Sequence, residues 1–246
     1  MTGGSEHIVK SFDEELKQLS QVIAQMGGLA EAQRQMAIDA LSRRDSDLAS
    51  EVVQHDARIN ALENQVDSMT VRMLALRQPM AQDLREVVAA LKISGAIERI
   101  GDYAANVAKR VLTLSQLPQV RPVHAIPRMG RLAQELLKEV LDAYVDHDAE
   151  KALRVWQRDE ELDEMYTSLF RELLTYMMED PRNITPCTHL LFIAKNIERI
   201  GDHATNIAET IHFLVRGRPL EATRPKGDES SYTVVTPGDS GRSGGS

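Results

Sequence analysis

The sequence predicts an all-α fold of two tandem, sequence-related three-helix bundles, with six long helices in all. Two observations predict it. Residues 93–110, ISGAIERIGDYAANVAKR, and residues 193–210, IAKNIERIGDHATNIAET, are identical at ten of 18 positions at an offset of 100. The hexapeptide IERIGD recurs intact within them, so two units of roughly 100 residues fill most of the 246-residue chain. Apolar residues also recur at helical rather than alternating spacing, and only 4% of residues are aromatic.

The first helix is expected over His7–Leu41, where Ile8, Phe12, Leu16, Leu19, Ile23, Met26 and Ala30 follow the helical period without a proline. Gly27-Gly28 is its weak point, since adjacent glycines allow a helix to bend. Arg43 and Arg44 suit a helix C-terminus, and Asp45, Ser46 or Asp47 can cap the next helix. That second helix carries Val52, Ile59, Leu62, Val66, Met69 and Met73 on one face and ends at Arg77-Gln78-Pro79, because the residue before proline avoids the helical region. Pro79 is expected to open the third helix, which runs through the first signature to about Leu114. The stretch 115–127 holds three prolines and reads as the linker.

The second unit repeats the plan. Helices are expected over about 128–146, from the His147-Asp148 restart to about Met178, and from Pro181 to near Gly217. A weaker echo, VVQHDARINALENQV (52–66) on VWQRDEELDEMYTSL (155–169), aligns Asp56 with Asp159 at an offset of 103. Short turns between helices favour antiparallel neighbours. The repeats are placed at 6–117 and 122–216, followed by a tail, 217–246, whose Gly, Ser, Pro and charge predict disorder.

The net charge of −8 argues against nucleic acid as a partner. Cys187 is the single cysteine, which excludes an intramolecular disulfide, and a buried inert thiol is the expectation for it. No run reaches the about 18–20 apolar residues of a membrane span, and MTGGSEHIVK lacks the apolar core of a signal peptide. A soluble, cytoplasmic protein is expected.

On a helical wheel the signature separates into two faces. Ile93, Ile97, Ile100, Ala104 and Val107 cluster together, while Glu98, Asp102 and Asn106 form an i, i+4, i+8 stripe opposite them. Glu198, Asp202 and Asn206 repeat the stripe. Carboxylates at i and i+4 repel by a few tenths of a kcal/mol on a free helix, a penalty that a cation above them reverses. The second helix of each unit offers a matching stripe: Asp56, Asn60, Glu63 and Asp67 in the first, Asp159 and Asp163 in the second, with Tyr166 at the place of Glu63. Oxygen-only donors suit hard cations such as Mg²⁺, Mn²⁺, Ca²⁺ or Fe³⁺. The competing reading is a solvated face neutralised by Arg99 and Arg199, and the sequence leaves both open.

Gly101 and Gly201 each cost about 1 kcal/mol relative to alanine inside a helix, which points to close approach of a neighbouring helix. There is no HExxH, no GxSxG and no glycine-rich phosphate loop. A single ExxH, Glu209 to His212, has no partner in the first copy, so the paired motif of a di-iron bundle is missing; His203 stands where the first copy has Tyr103 and is expected at the surface. No enzymatic activity is expected.

RQPMAQDLREVVAALK (77–92) running into IERIGD, together with EDPRNITPCTHLLFIAKNIERIGDHATNIAE (179–209), resembles the PhoU family of phosphate-specific transport system accessory proteins. The resemblance covers about residues 6–217. It implies two three-helix bundles and a cytoplasmic, often dimeric, negative regulator of the phosphate regulon. It further implies an adaptor between the ATPase of the phosphate ABC transporter and a phosphate-sensing histidine kinase, meeting the membrane only through those partners. Acidic E(D)xxxD motifs hold metal clusters in some members. They match Glu98/Asp102, Glu198/Asp202 and Asp159/Asp163 here, whereas Asp56/Asn60 departs from the pattern. Candidate metal ligands are therefore Asp56, Glu98, Asp102, Asp159, Asp163, Glu198 and Asp202, with Mg, Mn, Fe or Zn as the ion. A metal-dependent phosphoryl-transfer enzyme and a purely structural bundle are the alternative functions.

Overall fold

A computed structural model describes residues 3–77, 79–120, 125–221, 227–228 and 230–233, with side chains from Phe12 onward. It contains six α-helices: α1 (Gly3–Arg43), α2 (Ser46–Arg77), α3 (Gln82–Leu114), α4 (Ala125–Asp146), α5 (Ala149–Glu179) and α6 (Ile184–Arg216). Helices α1, α2 and α3 pack on one another as the first bundle, and α4, α5 and α6 as the second. No strand occurs among the described residues.

The helix boundaries follow from local chemistry. Arg44 and His147 take left-handed backbone conformations, φ 55° and 52°, which stop α1 and α4. The aspartate after each one starts the next helix. Asp45 Oδ1 accepts from the Leu48 amide at 3.0 Å. Asp148 Oδ1 accepts from the amides of Glu150 at 3.0 Å and Lys151 at 2.9 Å, satisfying donors that lack partners within the helix.

Three prolines differ from their expected places. Pro79 does not open α3, because Ala81 turns to φ 51° and delays the helix until Gln82. Pro181 opens a 3₁₀ turn, Pro181–Asn183, capped by Asp180, and α6 follows directly at Ile184. Pro127 lies in the first turn of α4, where a missing amide hydrogen does no harm, so the linker ends before Ala125. The Gly27-Gly28 pair leaves α1 unbroken. A Cβ on Gly27 would lie 2.9 Å from Leu141 Cδ1, so this glycine lets α4 approach closely.

The two bundles share one core. Helix α3 packs along α6, and α1 crosses α4, so buried residues of both repeats form a single apolar cluster. Several buried residues of these two helices are small: Ala104, Ala105 and Ala108 of α3, and Ala204 and Ala208 of α6. The Tyr103 and His203 rings meet across the α3–α6 joint with centroids 5.6 Å apart. His203 is therefore a half-buried member of the joint rather than a surface residue. At the α1–α4 crossing the Arg34 guanidinium, 2% exposed, donates to the Gly130 carbonyl at 2.6 Å. Desolvation lowers its pKa to about 10, leaving it charged at neutral pH.

Candidate functional site

The pairing of α2 with α3 and of α5 with α6 brings the stripes together as two acidic seams, one per repeat. A close helix approach makes this possible, and the signature glycines permit it. A Cβ on Gly101 would stand 2.8 Å from Ile59 Cδ1 and 3.6 Å from Asp56 Oδ1. On Gly201 it would stand 2.6 Å from both Asp159 Oδ1 and Leu162 Cδ2.

In the first seam Glu98 and Asp102 of α3 face Asp56 and Glu63 of α2. Burial raises the pKa of Glu98, and repulsion from Asp102, Glu63 and Asp56 adds to it. Glu63 is raised by burial and by Asp67 and Asp102. Arg99 offsets part of this, with Nη1 3.2 Å from Asp102 Oδ2 and Nε 3.6 Å from Glu98 Oε2. Gln33, which the periodicity of α1 did not single out, reaches in from that helix. Its amide nitrogen is placed to donate to Asp56 Oδ1 at 3.2 Å, and lies 3.4 Å from the Val52 and Gly101 carbonyls.

The second seam is drier. Asp159, Asp163 and Glu198 are 0%, 3% and 4% exposed, so these carboxylates lie between helices and not on the outward face that the wheel suggests. Desolvation pushes the Glu198 pKa up to about 7, with Asp202 and Asp163 adding repulsion against the relief from Lys195. Lys195 Nζ donates to Glu198 Oε1 at 2.9 Å. Its counterpart in the first copy is Gly95, so one cation is built into the second seam and not the first. Arg199 is looser than Arg99, 3.9 Å from Asp202.

Among the described residues no three His, Cys, Asp or Glu side chains converge into a ready-made metal cage. The donor chemistry fits a hard cation all the same. Glu198 Oε2 and Asn60 Oδ1 are buried without a hydrogen-bond partner among the described residues, and Glu63 and Glu98 repel their neighbours. Glu209 of the lone ExxH is engaged elsewhere, accepting from Trp156 Nε1 at 2.9 Å. Cys187 is buried, and desolvation raises its pKa, so it stays a thiol.

Fold and seams together define a duplicated three-helix-bundle protein whose repeated signature both builds the shared core and lines an acidic seam in each repeat. The PhoU domain family model matches residues 23–111 and again 126–211. The chain belongs to the PhoU family.

A relative from Caulobacter vibrioides, named phosphate-specific transport system accessory protein PhoU homolog, is 55% identical over 225 residues. That match spans 91% of this chain and 98% of the relative. One of the same name from Rhizobium meliloti is 51% identical over 227 residues, spanning 92% and 95%. The crystal structure of PhoU from Pseudomonas aeruginosa superposes with a TM-score of 0.82 at 42% identity, covering 84% of this chain and all of that one.

Proposed function

We propose that this protein is an accessory component of phosphate-specific transport and a negative regulator of the phosphate regulon. It acts as a cytoplasmic adaptor between the transporter's ATPase and a phosphate-sensing histidine kinase, and works as a homodimer. The observation that carries this reading is the doubled signature at 55% identity to a relative named for phosphate-specific transport, matched over 98% of that relative's length. Deleting the gene is expected to derepress phosphate-scavenging genes in phosphate-rich medium. Unchanged expression overturns the regulatory reading, and a pull-down at high and low phosphate that recovers neither partner overturns the adaptor.

The acidic seams are the proposed control point within that role. Asp56, Glu98 and Asp102 in the first seam would hold a cation, and Asp159, Asp163, Glu198 and Asp202 in the second. A bound cation supplies charge neutralisation, tightening α2 on α3 and α5 on α6 by removing the repulsion between their carboxylates. Metal content and Mn²⁺ binding are expected to fall in the protein carrying Asp102→Ala with Asp202→Ala. Undiminished binding places the cation elsewhere.

A further inference from the structure

Beyond the duplicated bundles, part of the C-terminal tail lies on the second seam. The Gly227 amide donates to Asp163 Oδ2 at 3.0 Å, and Thr167 Oγ1 is 3.3 Å from the Gly227 carbonyl. Asp228 uses both carboxylate oxygens: Oδ1 accepts from the Ser230 amide at 2.9 Å, and Oδ2 from Lys195 Nζ at 2.9 Å. The 3₁₀ turn Ser230–Tyr232 continues the contact along α5. Lys195 thus holds Glu198 and the tail at once, with its ammonium 4.8 Å from the centroid of the Tyr166 ring.

The fit is specific in two respects. A Cβ on Gly227 would stand 3.2 Å from the Glu160 carbonyl oxygen and from Asp163 Cβ, and 3.3 Å from Glu164 Cγ. The first of these is backbone inside α5 and cannot give way, so a branched side chain at 227 lifts the segment off. The first seam also lacks each counterpart. It has Gly95 where the second has Lys195, Glu63 where the second has Tyr166, Asn60 where the second has Asp163, and no tail segment among the described residues.

We propose that Gly227-Asp228 and the Ser230–Tyr232 turn form a strap, latched by Lys195, that shuts ions and partner side chains out of the second acidic seam until it is released, while the first stays open. The second match to the PhoU domain ends at residue 211, so the strap lies C-terminal to the repeated domain. It makes two seams of common origin unequal. An acidic partner segment that captures Lys195 would release the strap and uncover Glu198.

The test needs no assumption about metals. Carbodiimide-driven amine labelling, read by mass spectrometry, reports how open each carboxyl is. Amide hydrogen exchange of the strap and of the middle of α5 reports docking. In the full chain Glu198 is expected to label slowly. Gly227→Val and Asp228→Asn should raise its labelling at least fivefold and speed exchange in the strap, while Glu98 stays unchanged. A synthetic peptide of residues 227–233 added to the Gly227→Val protein should restore protection. Equal Glu198 labelling in wild type and both variants overturns the closure. A Glu98 response as large as that of Glu198 overturns its restriction to one seam. Residue 227 lies outside every α-helix, and unchanged circular dichroism separates strap release from unfolding.

Discussion

Gly101 and Gly201 occupy equivalent positions and meet different neighbours, so the same substitution should have two outcomes. Alanine gains about 1 kcal/mol of helix propensity over glycine at either site. At 101 the new methyl group meets the movable end of Ile59, so Gly101→Ala is expected to be near neutral. At 201 it meets the fully buried carboxylate of Asp159 as well as Leu162, both at 2.6 Å. Gly201→Ala is expected to destabilise by about 1–3 kcal/mol, as overpacking does. Urea melts of the two variants check the difference. Glu198 sets a pH dependence. Its folded pKa of about 7 lies above the ordinary 4.5, so the folded state holds a proton that the unfolded state releases in between. The resulting stabilisation is full below pH 4.5 and is lost as pH rises through 7. Glu198→Gln should flatten the fall of Tm between pH 5 and 8, and an equally steep fall in the variant would show that another group is responsible.

At the scale of elements, helix restarts were legible because they are chemical: Arg44-Asp45 and His147-Asp148 each place a cap one residue after a left-handed turn. Prolines mark helix starts less sharply because proline fixes only its own φ. The start of α3 was decided two residues later, by Ala81. The acidic faces could be read from the i, i+4 spacing, whereas their burial could not, since a wheel shows direction within one helix and not what covers it. Gln33 and Lys195 carry no sequence signal for a related reason: their partners Asp56 and Asp228 lie outside their own helices, 23 and 33 residues away. Arg34 shows the energetic side of such contacts. Arg34→Ala empties a buried site at the α1–α4 crossing and removes the charge-assisted hydrogen bond to the Gly130 carbonyl. A loss of about 2–4 kcal/mol is expected, measured by denaturant unfolding.

At the scale of the molecule, two repeats legible as separate units form one apolar cluster through α3 and α6. Heat unfolding should accordingly be a single transition, with calorimetric and van't Hoff enthalpies in agreement. Two resolved transitions would mean that the joint is weaker than either bundle. The meeting of Tyr103 with His203 carries a consequence for how such a chain arises. Contact between equivalent positions is what a two-fold axis produces, and it is the geometry of a self-complementary homodimer. A lone repeat with this face exposed would pair with its own kind at a strength set by its abundance. Fusing two copies through ten residues, 115–124, replaces that abundance with a fixed effective concentration, on the order of millimolar for a short connection. Once partnering is guaranteed in this way, the halves no longer have to stay alike. Lysine can replace glycine at one copy of a position, and a tail can serve one side alone.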